Sequence, residues 1–186
     1  MLKPLRHIAT GLMLVALVAS PSFAQDARKD LEVFKDLSDA VLGYVRFTIF
    51  DDVSASVDQG MVTLVGKVTM PFKRADIEDR VARVKGVKRV DNMIAVLPVS
   101  VEDDRLRYVI ARAIYGNSAF WQYATMSNPP IHVLVEHGRV TLSGVINNEV
   151  ERMLARSLAT GFGEFSVTSE LKTDAEIRNA LEKIGM

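Results

Sequence analysis

Two of the three histidines, two pairs of adjacent aspartates and one stripe of arginines and tyrosines are the groups whose types and spacing could do chemistry in this 186-residue chain. His132 and His137 lie five residues apart, one in an expected strand and the other beside a turn glycine. An odd spacing along a strand projects them to opposite faces, so they do not converge on a metal. Asp51-Asp52 and Asp103-Asp104 are paired carboxylates, read as solvated loop residues and as the acidic start of a helix respectively. With no cysteine, disulfides, thiolate metal sites, cysteine nucleophiles and a lipidated N-terminal cysteine are all excluded. No serine sits in a nucleophile elbow, and neither G-x-G-x-x-G nor a P-loop is present. The expectation is a protein that is not an enzyme, holds no metal or cofactor and takes no small-molecule substrate.

The stripe speaks for binding. On a helix, Arg105, Tyr108, Arg112 and Tyr115 recur at i, i+3, i+7 and i+10, opposite the apolar side. Guanidinium groups pair with phosphate, while phenol rings sit at headgroup depth. The loop that follows, Gly116 to Pro130, carries Phe120, Trp121 and Tyr123, including the single tryptophan of the chain. Such a loop either folds back as a small core or offers its rings to a partner. The expected lipid-binding set is Arg105, Tyr108, Arg112, Tyr115, Phe120 and Trp121. The alternative for the stripe is a solvated face whose tyrosines lie against the neighbouring unit or the tail helix.

These residues need elements to position them, and the chain supplies the same elements twice. Gly60-Met61-Val62-Thr63-Leu64-Val65-Gly66 repeats as Gly138-Arg139-Val140-Thr141-Leu142-Ser143-Gly144. The leading glycine suits a hairpin turn, Val62, Leu64 and Val68 (Val140, Leu142 and Ile146 in the second copy) share one strand face, and Gly66 or Gly144 leaves room for a close approach. A short strand precedes each copy, Ser54 to Val57 and Ile131 to Val135. A helix follows, capped by Thr69 with Pro71 in its first turn, or by Asn147 or Asn148. Ile77, Val81 and Val84, then Val150, Leu154 and Leu158, form the apolar sides. Closing strands run Val87 to Val96 and Phe165 to Leu171, one residue having been lost before the second. Opening helices carry Phe34, Leu37, Val41 and Tyr44, and Leu106, Ile110, Ala113 and Ile114. The expected fold class is α+β: two tandem α-β-β-α-β units, each a three-stranded sheet with two helices on one face, plus a C-terminal helix. That helix opens with a Thr173-Asp174-Ala175-Glu176 capping box and carries Ile177, Leu181 and Ile184 on one stripe.

The pattern V-T-L-x-G-x-V after a turn glycine, a helix, and then Gly86-Val87-Lys88-Arg89-Val90-Asp91-Asn92 resembles the BON domain. The second copy keeps the first half, Gly138 to Ile146, but ends Phe165-Ser166-Val167-Thr168-Ser169 without the asparagine. The resemblance implies the α-β-β-α-β fold, a periplasmic, envelope-associated role, attachment to membranes through phospholipid, and no enzymatic activity. Expected boundaries are a signal peptide at 1–24, a first BON domain at 28–97, a second at 101–172 and a tail at 173–186.

At the N-terminus, Lys3 and Arg6 precede an apolar run from Ile8 to Val18, and Ser22-Phe23-Ala24 places small residues at a cleavage site. The run is shorter than the roughly 20 residues of a membrane span. Secretion to the periplasm with cleavage after Ala24 is expected. Basic and acidic residues balance at 23 each over the whole chain, and cleavage removes only basic ones, so nucleic acid is a poor partner. The first unit's opening helix presents Glu32, Asp36 and Asp39, while Arg80, Arg83, Lys85, Lys88 and Arg89 cluster beyond its second helix. The functional expectation is binding of anionic phospholipid or the envelope surface through the second unit, supporting envelope integrity or stress tolerance. The alternative is a protein-interaction or chaperone-like module contacting an outer-membrane or secretion component without lipid.

Overall fold

The computed structural model describes residues 22–184; of the expected signal peptide at 1–24, residues 1–21 lie outside the described residues and Ser22 to Ala24 open the first helix. The first unit is α1 (Ser22–Leu42), β1 (Asp52–Asp58), β2 (Met61–Val68), α2 (Pro71–Ala82) and β3 (Arg89–Val96). The second is α3 (Val101–Tyr115), a 3-10 turn (Ser118–Phe120), α4 (Trp121–Ala124), β4 (Ile131–Glu136), β5 (Arg139–Ile146), α5 (Glu149–Leu158), β6 (Ser166–Ser169) and β7 (Lys172–Thr173). Helix α6 (Asp174–Ile184) closes the chain. In each unit a hairpin is antiparallel and the strand returning from the helix pairs parallel to the hairpin's second strand.

The second sheet departs from the expected three strands. Its closing strand breaks at Glu170-Leu171, where Leu171 turns into the core, and resumes as β7 beside Val145 and Ile146. Together β6 and β7 give a four-stranded sheet.

Both hairpins turn on two residues of positive φ: Gln59 (50°) and Gly60 (80°), then His137 (51°) and Gly138 (72°). This is the two-residue turn that matches strand twist. A carboxylate from the opening helix holds each turn. Asp30 accepts from the Gln59 and Gly60 amides at 2.9 and 3.1 Å, and Asp103 accepts from those of His137 and Gly138 at 2.8 Å each. Asp103 is therefore buried and tied to a turn rather than a solvated helix-start acid. Capping of α3 falls to Ser100, which accepts from the Asp103 amide at 3.2 Å. Asp103→Ala leaves two backbone donors without their partner and is expected to cost about 1–3 kcal/mol. Thermal unfolding measures it, together with faster hydrogen exchange at the His137 and Gly138 amides; unchanged exchange would refute the role. The glycines further along β2 and β5 allow close backbone approach, since a Cβ on Gly66 would meet the Asp52 carbonyl at 2.1 Å and one on Gly144 the Pro130 carbonyl at 1.8 Å.

The strand faces pack as their alternation requires: Val62, Leu64 and Val68, and Val140, Leu142 and Ile146, are all buried. The helices are phased slightly differently. Val33 rather than Phe34 enters the first core, because Val33, Leu37 and Val41 hold one i, i+4 line. In α5, Val150 stays exposed, while Ala155 and, just past the helix end, Ala159 are buried in the second core. Asn148 caps α5, its side chain accepting from the Glu151 amide at 3.0 Å. The Thr173–Glu176 box also forms. Ile177 is half-buried; the side chains of Leu181 and Ile184 lie outside the described residues.

The two units meet through the segment between α1 and β1. Ile49 and Phe50 pack against the second unit's core, and the Ile49 carbonyl accepts from the Val133 amide on β4 at 2.7 Å. Phe47 lies 5.7 Å from the His132 ring, and Lys67 pairs with Glu136. Asp51 fixes this segment. Fully buried, its carboxylate accepts from the amide and hydroxyl of Thr48 and of Thr69, each at 2.8 Å, and from Lys73 Nζ at 2.6 Å. Asp51 is thus a buried ion-pair partner, not a solvated loop residue. Thr69 is drawn into the same cluster, accepting from Lys73 Nζ at 2.7 Å, so Met70 becomes the N-cap of α2, with Pro71 first in the helix.

Candidate site on the second unit's opening helix

The repeat supplies its own comparison. With Asp30 aligned on Asp103, the buried residues Val33, Leu37 and Val41 fall on Leu106, Ile110 and Ile114. The outward positions then pair Glu32 with Arg105, Lys35 with Tyr108, Asp36 with Val109 and Asp39 with Arg112. Glu32 and Asp39 give way to arginines, while Lys35 gives way to a tyrosine and Asp36 to Val109, half-buried against the second core. Core packing fixes the inward residues of both helices, so this reversal lies in residues that the fold leaves free to vary.

On α3 itself the predicted set divides. Tyr108 is exposed and meets Phe50 edge-on, ring centroids 5.1 Å apart. Arg112 is exposed and has no hydrogen bond or ion pair among the described residues. Arg105 is partly committed: its Nε donates to Glu102 at 3.1 Å and a terminal nitrogen donates to the Phe162 carbonyl at 3.1 Å. Trp121 stands 72% exposed. Among the described residues α6 lies against β7, with Glu176 accepting from Arg152 of α5 at 2.9 Å.

Tyr115 and Phe120 are corrections to the expected set. The Tyr115 hydroxyl donates to the Ile131 carbonyl at 2.6 Å and accepts from the Ile131 amide at 3.0 Å, bridging the helix to β4. Burial pushes its phenol well above the ordinary value. Phe120 is completely buried and its ring lies over Tyr123 at 6.1 Å. The loop folds back because Asn117 caps a 3-10 turn by accepting from the Ala119 amide at 3.0 Å, which turns Phe120 and Tyr123 inward and Trp121 out. The Tyr123 hydroxyl donates to Glu151 at 2.6 Å; burial and that carboxylate push it up to about 12.

Sequence reasoning missed Arg107. It is buried on α3, paired with Asp104 and donating to the Val135 carbonyl at 2.6 Å. Its place at the edge of the apolar side was the available signal. It also missed the contribution of the first unit. Ile49, Phe50 and Phe162 join α3 residues in lining an open groove of about 890 Å³. The lining is mainly apolar, with Arg112 as its one ionisable cation.

The other candidates do not assemble. His132 lies against Phe47 while His137 sits in the hairpin turn, and among the described residues no group of three or more His, Asp or Glu could hold a metal ion. In the first unit's basic cluster Arg80 stacks 4.7 Å from the Tyr44 ring centre and Lys88 donates to the Gln59 carbonyl at 2.9 Å.

Among described residues, no helix is long and apolar enough to cross a membrane. Two structures of CdsD, a structural protein of the type III secretion system of Chlamydia trachomatis, resemble the chain weakly. One, of its C-terminal domain, is 14% identical over 80% of this chain and 69% of that one, with a TM-score of 0.32. The other is 15% identical over 81% and 97%, with a TM-score of 0.28. At these scores the likeness says nothing of this chain's partners. No curated protein matches the chain significantly. The BON domain model matches residues 37–98 and 121–182, two thirds of the chain, and places one copy in each structural unit although α3 precedes the second match. The chain belongs to the BON domain family, as a tandem of two such domains.

Proposed function

We propose that this protein acts without catalysis in the bacterial envelope, where its second BON domain binds anionic phospholipid. BON domain proteins are typically periplasmic and generally non-enzymatic. The observation that carries the reading is the charge reversal between repeats: Glu32 and Asp39 on the first opening helix stand where Arg105 and Arg112 stand on the second. An acidic face is repelled by anionic headgroups, whereas arginines beside exposed Tyr108 and outward Trp121 suit an anionic interface with an apolar interior.

Flotation with vesicles tests this. The chain without its leader, residues 25–186, should be used, because the leader's apolar run would itself enter a bilayer. Co-flotation is expected with vesicles containing phosphatidylglycerol and not with phosphatidylcholine alone. It should fall as salt rises from about 50 mM to 500 mM, where the Debye length drops well below 10 Å. Flotation on neutral vesicles, or none on either, would remove anionic-lipid recognition.

A further inference from the structure

We infer that the groove along α3 takes a single acyl chain of the anionic lipid, and that the first unit's Ile49–Phe50 turn belongs to that site. This rests on the lipid reading but goes beyond surface attachment. An interfacial helix needs only an exposed face; here that face is bordered by a second element from the other domain. Phe50 meets Tyr108 at 5.1 Å, the Ile49 carbonyl is anchored to Val133 at 2.7 Å, and Phe162 lines the same groove. The open groove's volume of about 890 Å³ falls within the ~300–1,000 Å³ of small-molecule sites. Ala113 is a small side chain in the lining, and no acidic residue lines the groove. Arg112 is the groove's only charged group, so the complementary ligand is one anionic head on an aliphatic body.

The corresponding segments have divided their roles between the repeats. In the second unit the segment between the opening helix and the first strand folds onto its own domain as the 3-10 turn and α4, burying Phe120 and Tyr123. In the first unit it reaches across to the neighbour and adds Ile49 and Phe50 to the second core. The first domain thereby finishes a site whose cation stands on the second.

A monomeric probe separates the groove from the surface. Lysophosphatidylglycerol with one 14-carbon chain, below its critical micelle concentration, is titrated calorimetrically into the chain without its leader. Glycerophosphoglycerol supplies the head alone and lysophosphatidylcholine the chain with a neutral head. One-to-one binding of the first, at least tenfold tighter than either control, is expected. Phe50→Asp should weaken it tenfold or more. Ala113→Phe, which fills the groove without deleting a wall, should do the same while circular dichroism shows an unchanged fold.

If the monomer fails to bind, or binds Ala113→Phe undiminished, while vesicle flotation persists, the groove is overturned and surface attachment stands. Absence of both binding and flotation overturns the lipid reading with it. A dimer in sedimentation that Ala113→Phe dissociates would assign the groove to a second copy of the chain and overturn the acyl chain as occupant.

Discussion

Asp51→Ala is expected to destabilise the protein by about 3–5 kcal/mol, the effect of stranding one member of a buried charge pair. Lys73 and Asp51 are both buried, with Lys73 Nζ 2.6 Å from the carboxylate, and the same carboxylate accepts four further hydrogen bonds from Thr48 and Thr69. Its loss leaves an ammonium in the interior and releases the turn that presents Ile49 and Phe50 to the second domain. Urea unfolding should therefore show a lower midpoint and two transitions, because the domains no longer unfold together. Asp51→Val with Lys73→Met removes both charges and should cost less than Asp51→Ala alone. A single unshifted transition in Asp51→Ala would show that the ion pair does not hold the domains together.

The pH dependence has a definite sign. Burial alone pushes the Asp51 carboxyl up, but Lys73 and the donors on Thr69 and Thr48 outweigh it and hold the value below the ordinary one. A carboxyl lowered in the folded state contributes stability that is complete above the unfolded value, about 4. That contribution disappears as pH falls through the lower folded value. Stability of the unaltered chain should fall more steeply with acid below about pH 4 than that of Asp51→Ala, as denaturant titrations across that range would register.

Reversing both exposed arginines, Arg105→Glu with Arg112→Glu, should weaken binding to phosphatidylglycerol vesicles by roughly 30- to 1,000-fold. The estimate follows from about 1 kcal/mol for each basic residue near an anionic surface, doubled on reversal, and 1.4 kcal/mol per tenfold change. Arg112 should account for most of it, since Arg105 already donates to Glu102 and to the Phe162 carbonyl. The melting temperature should fall only modestly, since Arg112 makes no hydrogen bond or ion pair among the described residues and the contacts that Arg105 gives up are exposed ones. Retained binding, or binding lost together with the fold, would mean that these guanidinium groups are not the headgroup contacts.

The α+β fold and its duplication were legible because turn chemistry and strand alternation are local properties. Gly60 and Gly138 mark turns that require positive φ, and Val62, Leu64 and Val68 alternate onto one face before any tertiary contact is known. The helical stripe was legible for the same reason, since i, i+3 and i+7 positions share a face whatever lies against it. That periodicity placed Tyr108 and Arg112 outward correctly but could not tell that Tyr115, at the last turn, would be bridged to Ile131.

Alone, then, the sequence determined the repeats, the core-facing strand residues, the absence of thiol chemistry and the charge reversal between the opening helices. Tertiary structure decided which polar and aromatic residues are interior. Asp51 and Asp103 resemble surface carboxylates in sequence, and only the donors brought to them from distant segments make their burial stable. Phe120 and Trp121 are neighbours of similar character, yet one fold-back of the loop buries the first and exposes the second. The groove is the furthest from sequence, because its walls come from two domains and meet only where the Asp51-held turn crosses between them. Long-range packing sets such contacts, and local pattern carries no record of it.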